Sequence, residues 1–322
     1  MAKLLFTADL HIKLSQANIK VDWAQARFRM FIRQLQEMQQ LADIAILGGD
    51  IFDKVPTGIA GVQEMELYYE LVDSMTIPTL VYSGNHEATT KSNTFLTSLK
   101  NSTTKINSKV EIIDDFWTDA SLDLDIIPYN RLYYKYPTYL NNRILCTHVR
   151  GEIPPHVKPE IDLSRLARWP LVLAGDLHSH SNSQQNILYP GSPYTVSFHR
   201  KPVETGALIV DTKSLEHEWI AFNLPQLLKK TVAPTDLMPT DDFHHVVYEV
   251  EGNMAELAEV SGDNVKKKLT KRASEAALIL GADMSLNEEL QEYLQYVLKL
   301  DTAKVADILL TYNDVNPEAI VK

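Results

Sequence analysis

Five polar sites punctuate the first 180 residues: Asp9-Leu10-His11, Gly49-Asp50-Ile51-Phe52-Asp53, Gly84-Asn85-His86-Glu87, His148, and Gly175-Asp176-Leu177-His178. Carboxylate, amide and imidazole ligands without a thiolate suit Mn²⁺ or Mg²⁺, and also Fe²⁺ or Zn²⁺ in mixed oxygen and nitrogen sites. One central carboxylate between two groups of ligands is what bridging a pair of ions requires. Two ions about 3.5 to 4 Å apart can clamp a phosphate and generate hydroxide at neutral pH for in-line attack. Taken singly the motifs carry little, because a tight turn or a helix N-terminus explains each of them. Their order and placement carry the argument.

Each site closes a short apolar run. Lys3 to Ala8 runs into Asp9, Ile44 to Leu47 into Gly48-Gly49-Asp50, and Thr79 to Tyr82 into Ser83-Gly84-Asn85. Ile144 to Thr147 runs into His148, and Leu171 to Ala174 into Gly175-Asp176. Runs of four to six apolar residues bounded by glycine predict buried strands. Between the first two, Trp23 to Leu41 places Phe28, Phe31, Ile32, Leu35 and Met38 at helical spacing. Between the second and third, Val62 to Val72 predicts a helix with Met65, Tyr69 and Val72 on one face. This alternation predicts an α/β architecture with a largely parallel sheet, in which ligands gather beyond the carboxyl ends of the strands.

Composition sets the remaining bounds. The 322 residues carry 31 Lys+Arg against 42 Asp+Glu, a formal net charge of −11, with 45% hydrophobic residues. That is ordinary globular material for one large domain and a smaller appendage. The single Cys146 excludes an intramolecular disulfide and a cysteine-built zinc site. No signal-like N-terminus and no apolar run of membrane-spanning length is present, which points to a cytoplasmic protein without membrane association. The acidic balance argues against nucleic-acid binding through a broadly basic surface, so any DNA contact needs a local basic patch, metal ions or a partner.

After Tyr189-Pro190-Gly191-Ser192-Pro193, strand-like pieces at Ala207 to Asp211 and His217 to Phe222 finish the sheets. Residues 1–224 are expected to form the main domain and 225–282 a small α/β capping domain. The latter begins with strand-like His245 to Val250 and continues into a basic helix from Asn264 to Leu280, carrying Lys266, Lys267, Lys268, Lys271 and Arg272. Such a run is usually a solvated face, but in this acidic chain it is the densest positive patch and a candidate for DNA backbone contact. Residues 283–322 are expected to form a helical hairpin, opened by a capping box at Ser285 to Glu288. Tyr68-Tyr69 and Tyr133-Tyr134 read as packing residues. His156, His199, His217, His244 and His245 lack partner motifs and read as packed or exposed.

The ordered series resembles the calcineurin-like metallophosphoesterase superfamily, and within it the SbcD nuclease branch with its bacteriophage members. The closer cues are Pro56-Thr57 after the Asp50 motif, Ile77-Pro78 before the third strand, and Tyr189-Pro190-Gly191-Ser192-Pro193. The resemblance implies a β-sandwich flanked by helices and covers residues 1–220; beyond 225 it is architectural. It implies two divalent ions, with Asp9, His11 and His178 on the first, Asp50 bridging, and Asn85, His148 and Asp176 on the second. His86 would contact the phosphate and protonate the leaving oxygen, while Asp53 is either an orienting group or a turn carboxylate. Many members have Gly-His-x-His where this chain has Gly175-Asp176-Leu177-His178; the extra oxygen ligand favours harder ions, Mn²⁺ first and Mg²⁺ next. A rival register would use His178 and His180 as the histidine pair.

The resemblance further implies exonuclease action on duplex ends, with single-strand endonuclease action allowed, in DNA repair, recombination or replication. It also implies a partner, an SbcC-like ABC ATPase whose coiled coil would receive the terminal hairpin; a homodimer is left open, and the setting would be the host cytoplasm for a phage protein. The rival readings are a cyclic-nucleotide phosphodiesterase or protein phosphatase of the same fold, and a catalytically silent scaffold.

Overall fold

The computed structural model describes residues 2–269 and 284–315. The apolar runs form strands as expected. In chain order the first part contains β1 (Lys3–Thr7), α1 (Val21–Gln39), β2 (Ile44–Gly48), α2 (Gly58–Asp73), β3 (Thr79–Tyr82), β4 (Ala88–Thr90), β5 (Asn93–Thr94), α3 (Lys100–Ile106) and β6 (Val110–Ile113). There follow β7 (Trp117–Asp119), β8 (Leu124–Ile127), β9 (Ile144–His148), β10 (Leu171–Gly175), β11 (Ile187–Leu188), β12 (Gly206–Asp211) and β13 (His217–Ala221). One sheet has the order β13-β12-β1-β2-β3-β6, with β1, β2, β3 and β6 parallel. The other has the order β11-β10-β9-β8-β7, parallel except for β7.

Alternation along the strands explains the layering, because successive side chains leave a strand on opposite faces. Leu4, Phe6, Ile44 and Ile46 of the first sheet meet Ile126, Ile144, Cys146 and Leu173 of the second in one buried cluster between the sheets. Leu5, Ala45, Leu47 and Val81 face the opposite way and pack under α1 and α2 against Phe28, Phe31, Leu35 and Tyr68. The outer face of the second sheet is covered by loops that bury Trp169, Tyr189 and Leu140. The fold is an α/β sandwich flanked by helices. All five polar sites lie at or just beyond the carboxyl ends of β1, β2, β3, β9 and β10.

The α1 stripe is buried as its spacing predicts, and the α2 stripe also faces the core: Val72 is buried, and Met65 and Tyr69 are half-buried against the core cluster. Glu64, Leu67, Tyr68 and Leu71 widen the buried face beyond that stripe. The Glu64 carboxylate accepts the backbone N–H of Leu14 at 2.8 Å, which ties α2 to the segment after β1.

Beyond β13 come β14 (Leu227–Val232), β15 (His245–Gly252), α4 (Met254–Ala258) and β16 (Val265–Leu269), the three strands pairing in the order β14-β15-β16. The expected basic helix is corrected here. Lys266, Lys267 and Lys268 lie on the strand β16, because pairing beside β15 overrides their helical propensity; Lys271 and Arg272 lie outside the described residues. Lysines on an edge strand also block further strand pairing. The last elements are α5 (Leu286–Glu292), which continues as a π-helical turn at Tyr293–Val297, and α6 (Thr302–Val315). The capping box of α5 is complete, with the Ser285 side chain on the Glu288 N–H and the Glu288 carboxylate on the Ser285 N–H.

By compactness the chain divides into two units, Met1–Glu249 with Ser261–Lys266, and Val250–Val260 with Lys267–Lys322. No helix among the described residues is long and apolar enough to cross a membrane.

Candidate metal centre

In the loops after β1, β2 and β10 the backbone takes conformations most side chains avoid. Asp9, His11, Asp50 and Asp176 all have positive φ, at 58°, 45°, 50° and 102°. Such backbone costs of order 1–3 kcal/mol per residue and persists where the surrounding structure imposes it, characteristically at functional sites. Two glycines are required by close approach. A Cβ on Gly84 would collide with the Asp50 carboxylate, and one on Gly175 would sit 2.5 Å from His148 Nδ1.

Asp50 is the centre of the arrangement. Its Oδ2 lies 3.5 Å from His11 Nε2, 3.4 Å from His148 Nε2 and 3.8 Å from His86 Nε2. On one side, His11 Nε2 and His178 Nε2 approach to 3.0 Å, with Asp9 Oδ1 at 4.0 and 3.9 Å from them. On the other, Asn85 Oδ1 lies 3.0 Å from His148 Nε2. The Nδ1–H of His148 donates to the Gly48 carbonyl at 2.9 Å, which leaves Nε2 as the free lone pair. Asp9, His11 and His178, and separately Asp9, Asp50 and His148, bring their donor atoms within 4.8 Å of one another. Two imidazole nitrogens held 3.0 Å apart beside buried carboxylates, all at strand ends, fit a pair of divalent cations.

Charge in this cluster departs far from ordinary values. Burial pushes Asp9 up to about 8, against the pull of His148. Burial drives His11 down to about 3. Burial opposes ionisation of Asp50, yet the surrounding His148, His11 and His86 hold its carboxyl well below the usual range. For His148 the order reverses: burial opposes its charge, and Asp50, Asp9 and Asp176 raise it well above the ordinary imidazole value.

Around this centre the remaining motif residues have distinct surroundings. His86 is partly exposed, its Nδ1–H donates to the Asp53 carbonyl, and its Nε2 faces Asp50. The Asp53 carboxylate forms an ion pair with Lys13 at 2.8 Å, and its other oxygen is 3.8 Å from His11 Nδ1. His180 is not drawn into the centre: its ring stacks on Trp219 and its Nδ1 bonds to the Tyr189 carbonyl. Asp176 is nearby, with its N–H on both Asp9 oxygens at 3.0 and 3.2 Å.

Two residues without a role in the sequence reading shape the site. Arg150 grips the Asp176 carboxylate through Nε at 3.0 Å and Nη2 at 3.1 Å. Glu87 is fully buried and accepts three backbone N–H bonds, from Asp50 at 3.1 Å, Phe52 at 2.8 Å and Gly84 at 2.8 Å. It thereby ties the loop after β2 to the loop after β3. Glu87 stands next to His86 in a quoted motif, so its position was visible while its burial was not; Arg150 had only its spacing two residues after His148.

A cluster of candidate metal ligands at the strand ends of an α/β sandwich suits metal-assisted phosphoester chemistry, and residues 2–167 match the calcineurin-like phosphoesterase family. The chain belongs to that family and is a metal-dependent phosphoesterase. It is 37% identical over 321 residues to a protein of Escherichia phage T5 named "Probable exonuclease subunit 1", covering 95% of this chain and 96% of the relative. Among solved structures, an archaeal phosphodiesterase matches at 16% identity and a TM-score of 0.38, over 68% of this chain and 99% of that one. The protein TT1561 of Thermus thermophilus matches at 13% identity and a TM-score of 0.40, over 68% of this chain and 98% of that one.

Proposed function

We propose that this chain is the nuclease subunit of an SbcCD-type complex, a two-metal phosphodiesterase that degrades DNA from duplex ends. The observation that carries the reading is Asp50 Oδ2, placed within 3.5 Å of both His11 and His148 between two sets of donors. The near full-length likeness to a phage exonuclease subunit supports DNA as substrate and a partner chain. Asp9, His11, His178 and Asp50 would hold one ion, and Asp50, Asn85, His148 and Asp176 the other, Mn²⁺ being preferred over Mg²⁺ for the mixed donors. Arg150 does not exclude Asp176 from this set, since each carboxylate oxygen keeps a second lone pair. Two bound ions supply charge neutralisation at the phosphate and an activated nucleophile for in-line displacement.

The chain's own groups do the rest. With Nδ1 committed to the Asp53 carbonyl, His86 presents Nε2 toward the reacting phosphate, where it donates a proton to the leaving oxygen. Asp53, beside His11 Nδ1 and Lys13, orients the His11 ring. Lys266, Lys267 and Lys268 would contact the DNA backbone without reading sequence, and Lys271 and Arg272 are assigned the same role from sequence alone. Reversing these charges should then reduce the salt dependence of DNA binding.

For the partner, the support is the terminal helical hairpin, where Leu286, Tyr293, Tyr296, Leu298 and Leu310 are exposed. A helical surface of this kind fits a helix-in-groove or coiled-coil contact. Deleting residues 284–322 should abolish binding of an SbcC-like ATPase and preserve hydrolysis of small diesters.

The test of the whole reading is incubation of the purified protein with end-labelled duplex and single-stranded DNA in Mn²⁺, Mg²⁺ or EDTA. Metal-dependent degradation from ends supports it. Rapid hydrolysis of a small phosphodiester with both DNAs intact, even with the ATPase subunit added, would replace DNA with another phosphodiester as the substrate.

A further inference from the structure

The loops over the outer face of the second sheet are cationic in an acidic chain: residues 131–168 hold seven Lys and Arg against three Asp and Glu, while the whole chain carries −11. Several of these cations lie over aromatic rings. At the metal end Lys91 Nζ sits 5.0 Å from the Tyr133 ring centre, and the Tyr133 hydroxyl lies 3.2 Å from that of Tyr129, whose ring meets His148. The Arg131 guanidinium covers Tyr134 at 5.5 Å, Arg165 covers Tyr136 at 4.3 Å and Arg168 covers Trp169 at 4.0 Å. Arg165 also donates to the Tyr134 carbonyl and Arg168 to that of Pro137, which joins the pairs into one belt. Trp169 precedes β10 and Asp176 follows it, so the five residues of that strand, a span of about 16 Å, separate the far end of the belt from the metal centre.

These contacts fix the cations without exhausting them. An arginine has five N–H donors, and Arg165 and Arg168 each give one to a carbonyl. Arg131, Arg143 and Arg150 are paired with Asp115, Asp123 and Asp176, whereas Lys91, Lys135, Arg165 and Arg168 have no ion pair among the described residues. Of the neighbouring acids, Asp162 accepts the Ser164 N–H and Glu160 accepts both the Tyr129 and Tyr133 hydroxyls. Tyr134, a packing residue by its sequence, is 48% exposed, and Tyr139, two residues after Pro137, is 55% exposed. Half-exposed rings beside fixed cations offer a flat apolar face and a positive charge together.

We propose that this belt is a binding surface for single-stranded DNA, remote from the reacting phosphate, with its cations along the phosphates and Tyr134 and Tyr139 stacking on bases. The inference rests on the reading of DNA as substrate. Cations interleaved with aromatic rings hold single strands without reading sequence, and each stacked base contributes about 1–3 kcal/mol. A duplex keeps its base faces covered by one another, so the exposed tyrosines favour an unpaired strand. Continuity through Tyr133 and Tyr129 to His148 leads such a strand to the rim of the metal centre. The belt is also the kind of local basic patch through which a chain of net charge −11 can hold a polyanion.

The experiment measures, by fluorescence anisotropy in EDTA, binding of a labelled twelve-nucleotide oligothymidylate and of a twelve-base-pair duplex to the full chain. The single strand should bind about tenfold more tightly than the duplex. Tyr134→Ala combined with Tyr139→Ala should weaken single-strand binding about tenfold or more and leave duplex binding within about twofold. Lys135→Gln combined with Arg168→Gln should make the slope of log affinity against log salt shallower by about 1.4, the value of two single-strand phosphate contacts. Both variants should retain the parent's Mn²⁺-dependent hydrolysis of bis(4-nitrophenyl) phosphate, which shows that they fold. Unchanged single-strand affinity in the tyrosine variant would overturn the proposal, as would an unchanged salt slope in the cation variant or equal affinity for duplex. Binding of an oligoglutamate peptide with no binding of the oligothymidylate would overturn it too, by assigning the belt to an acidic protein segment. The two claims fail separately: belt-dependent binding of single strands without DNA degradation faults the nuclease reading alone, whereas DNA degradation with belt-independent binding faults the belt alone.

Discussion

Arg150 holds Asp176 in a two-pronged ion pair, Nε to one carboxylate oxygen at 3.0 Å and Nη2 to the other at 3.1 Å, at the edge of the metal centre. The Asp176 side chain is nearly buried, and Arg150 remains partly exposed. With its guanidinium partner, the Asp176 carboxylate adds no net charge to the cluster. Arg150 thereby offsets one of the three carboxylates Asp9, Asp50 and Asp176, and with the proposed ions bound the site would keep the net positive charge that an anionic diester requires. The fork geometry is specific to arginine, since lysine offers a single point charge.

The pair should behave as one unit. Arg150→Ala leaves a desolvated carboxylate without its counter-ion, and Asp176→Asn leaves a guanidinium facing bound cations. Each single variant should lower metal-dependent diester hydrolysis about tenfold or more, while the double variant should lose less than the two combined. A double-mutant cycle on thermal stability should give a coupling on the order of 1 kcal/mol. Strictly additive effects on both activity and stability would dissolve the unit.

Glu87 is the second structural dependency. It receives the N–H groups of Asp50, Phe52 and Gly84, and burial pushes its carboxyl up to about 7, with the Asp50 charge adding to the rise. Glu87→Gln keeps the shape but turns one acceptor into a donor aimed at backbone N–H groups. The expected result is a loss of about 1–3 kcal/mol of stability and a drop of about 10- to 100-fold in Mn²⁺ affinity. Calorimetric Mn²⁺ titration beside thermal unfolding checks both. An unchanged affinity would show that the two loops hold their ligands without Glu87.

How much of this was legible in the sequence follows from what each feature depends on. The strand ends were readable because buried parallel strands are continuous apolar runs, and each run here stops at a potential ligand. Asp50 as the central carboxylate was implied by the family resemblance that the order of the motifs carries. Arg150 was not readable, because its meaning lies in reaching Asp176 across two adjacent strands, and no local spacing encodes that. The basic stretch at Lys266 to Lys268 was read in the wrong conformation, since lysine-rich segments favour helix until a neighbouring strand such as β15 offers a ladder.

Metal affinity should rise with pH. Without ions, burial keeps Asp9 protonated up to about 8, and His148 is charged well above the ordinary imidazole range by its acidic neighbours in spite of burial. A cation must displace both protons, whereas His11, lowered to about 3, has none to lose near neutrality. Binding therefore releases protons, and apparent affinity climbs between about pH 6 and 8. The Asp9 contribution to that climb ends above about 8. Calorimetry of Mn²⁺ binding in buffers of different ionisation enthalpy reads the released protons directly. A flat affinity over that range, with no proton release, would show that the ligands are already deprotonated before the ion arrives.

Holding ions and donating the proton should separate by substitution. Asp50 faces His11, His148 and His86 at once, so Asp50→Ala removes the shared donor and should abolish both tight Mn²⁺ binding and hydrolysis. His86 is fixed by the Asp53 carbonyl and reaches the centre only with Nε2, so His86→Ala should keep Mn²⁺ affinity within a few-fold of the parent. Its turnover should fall by about 10²- to 10⁴-fold, the usual contribution of a positioned general acid. The defect should also depend on the leaving group. A 4-nitrophenolate departs without protonation, so its diester should lose less than DNA, whose leaving alkoxide needs the proton. Equal losses on both substrates would assign His86 to binding the phosphate and remove it from proton transfer.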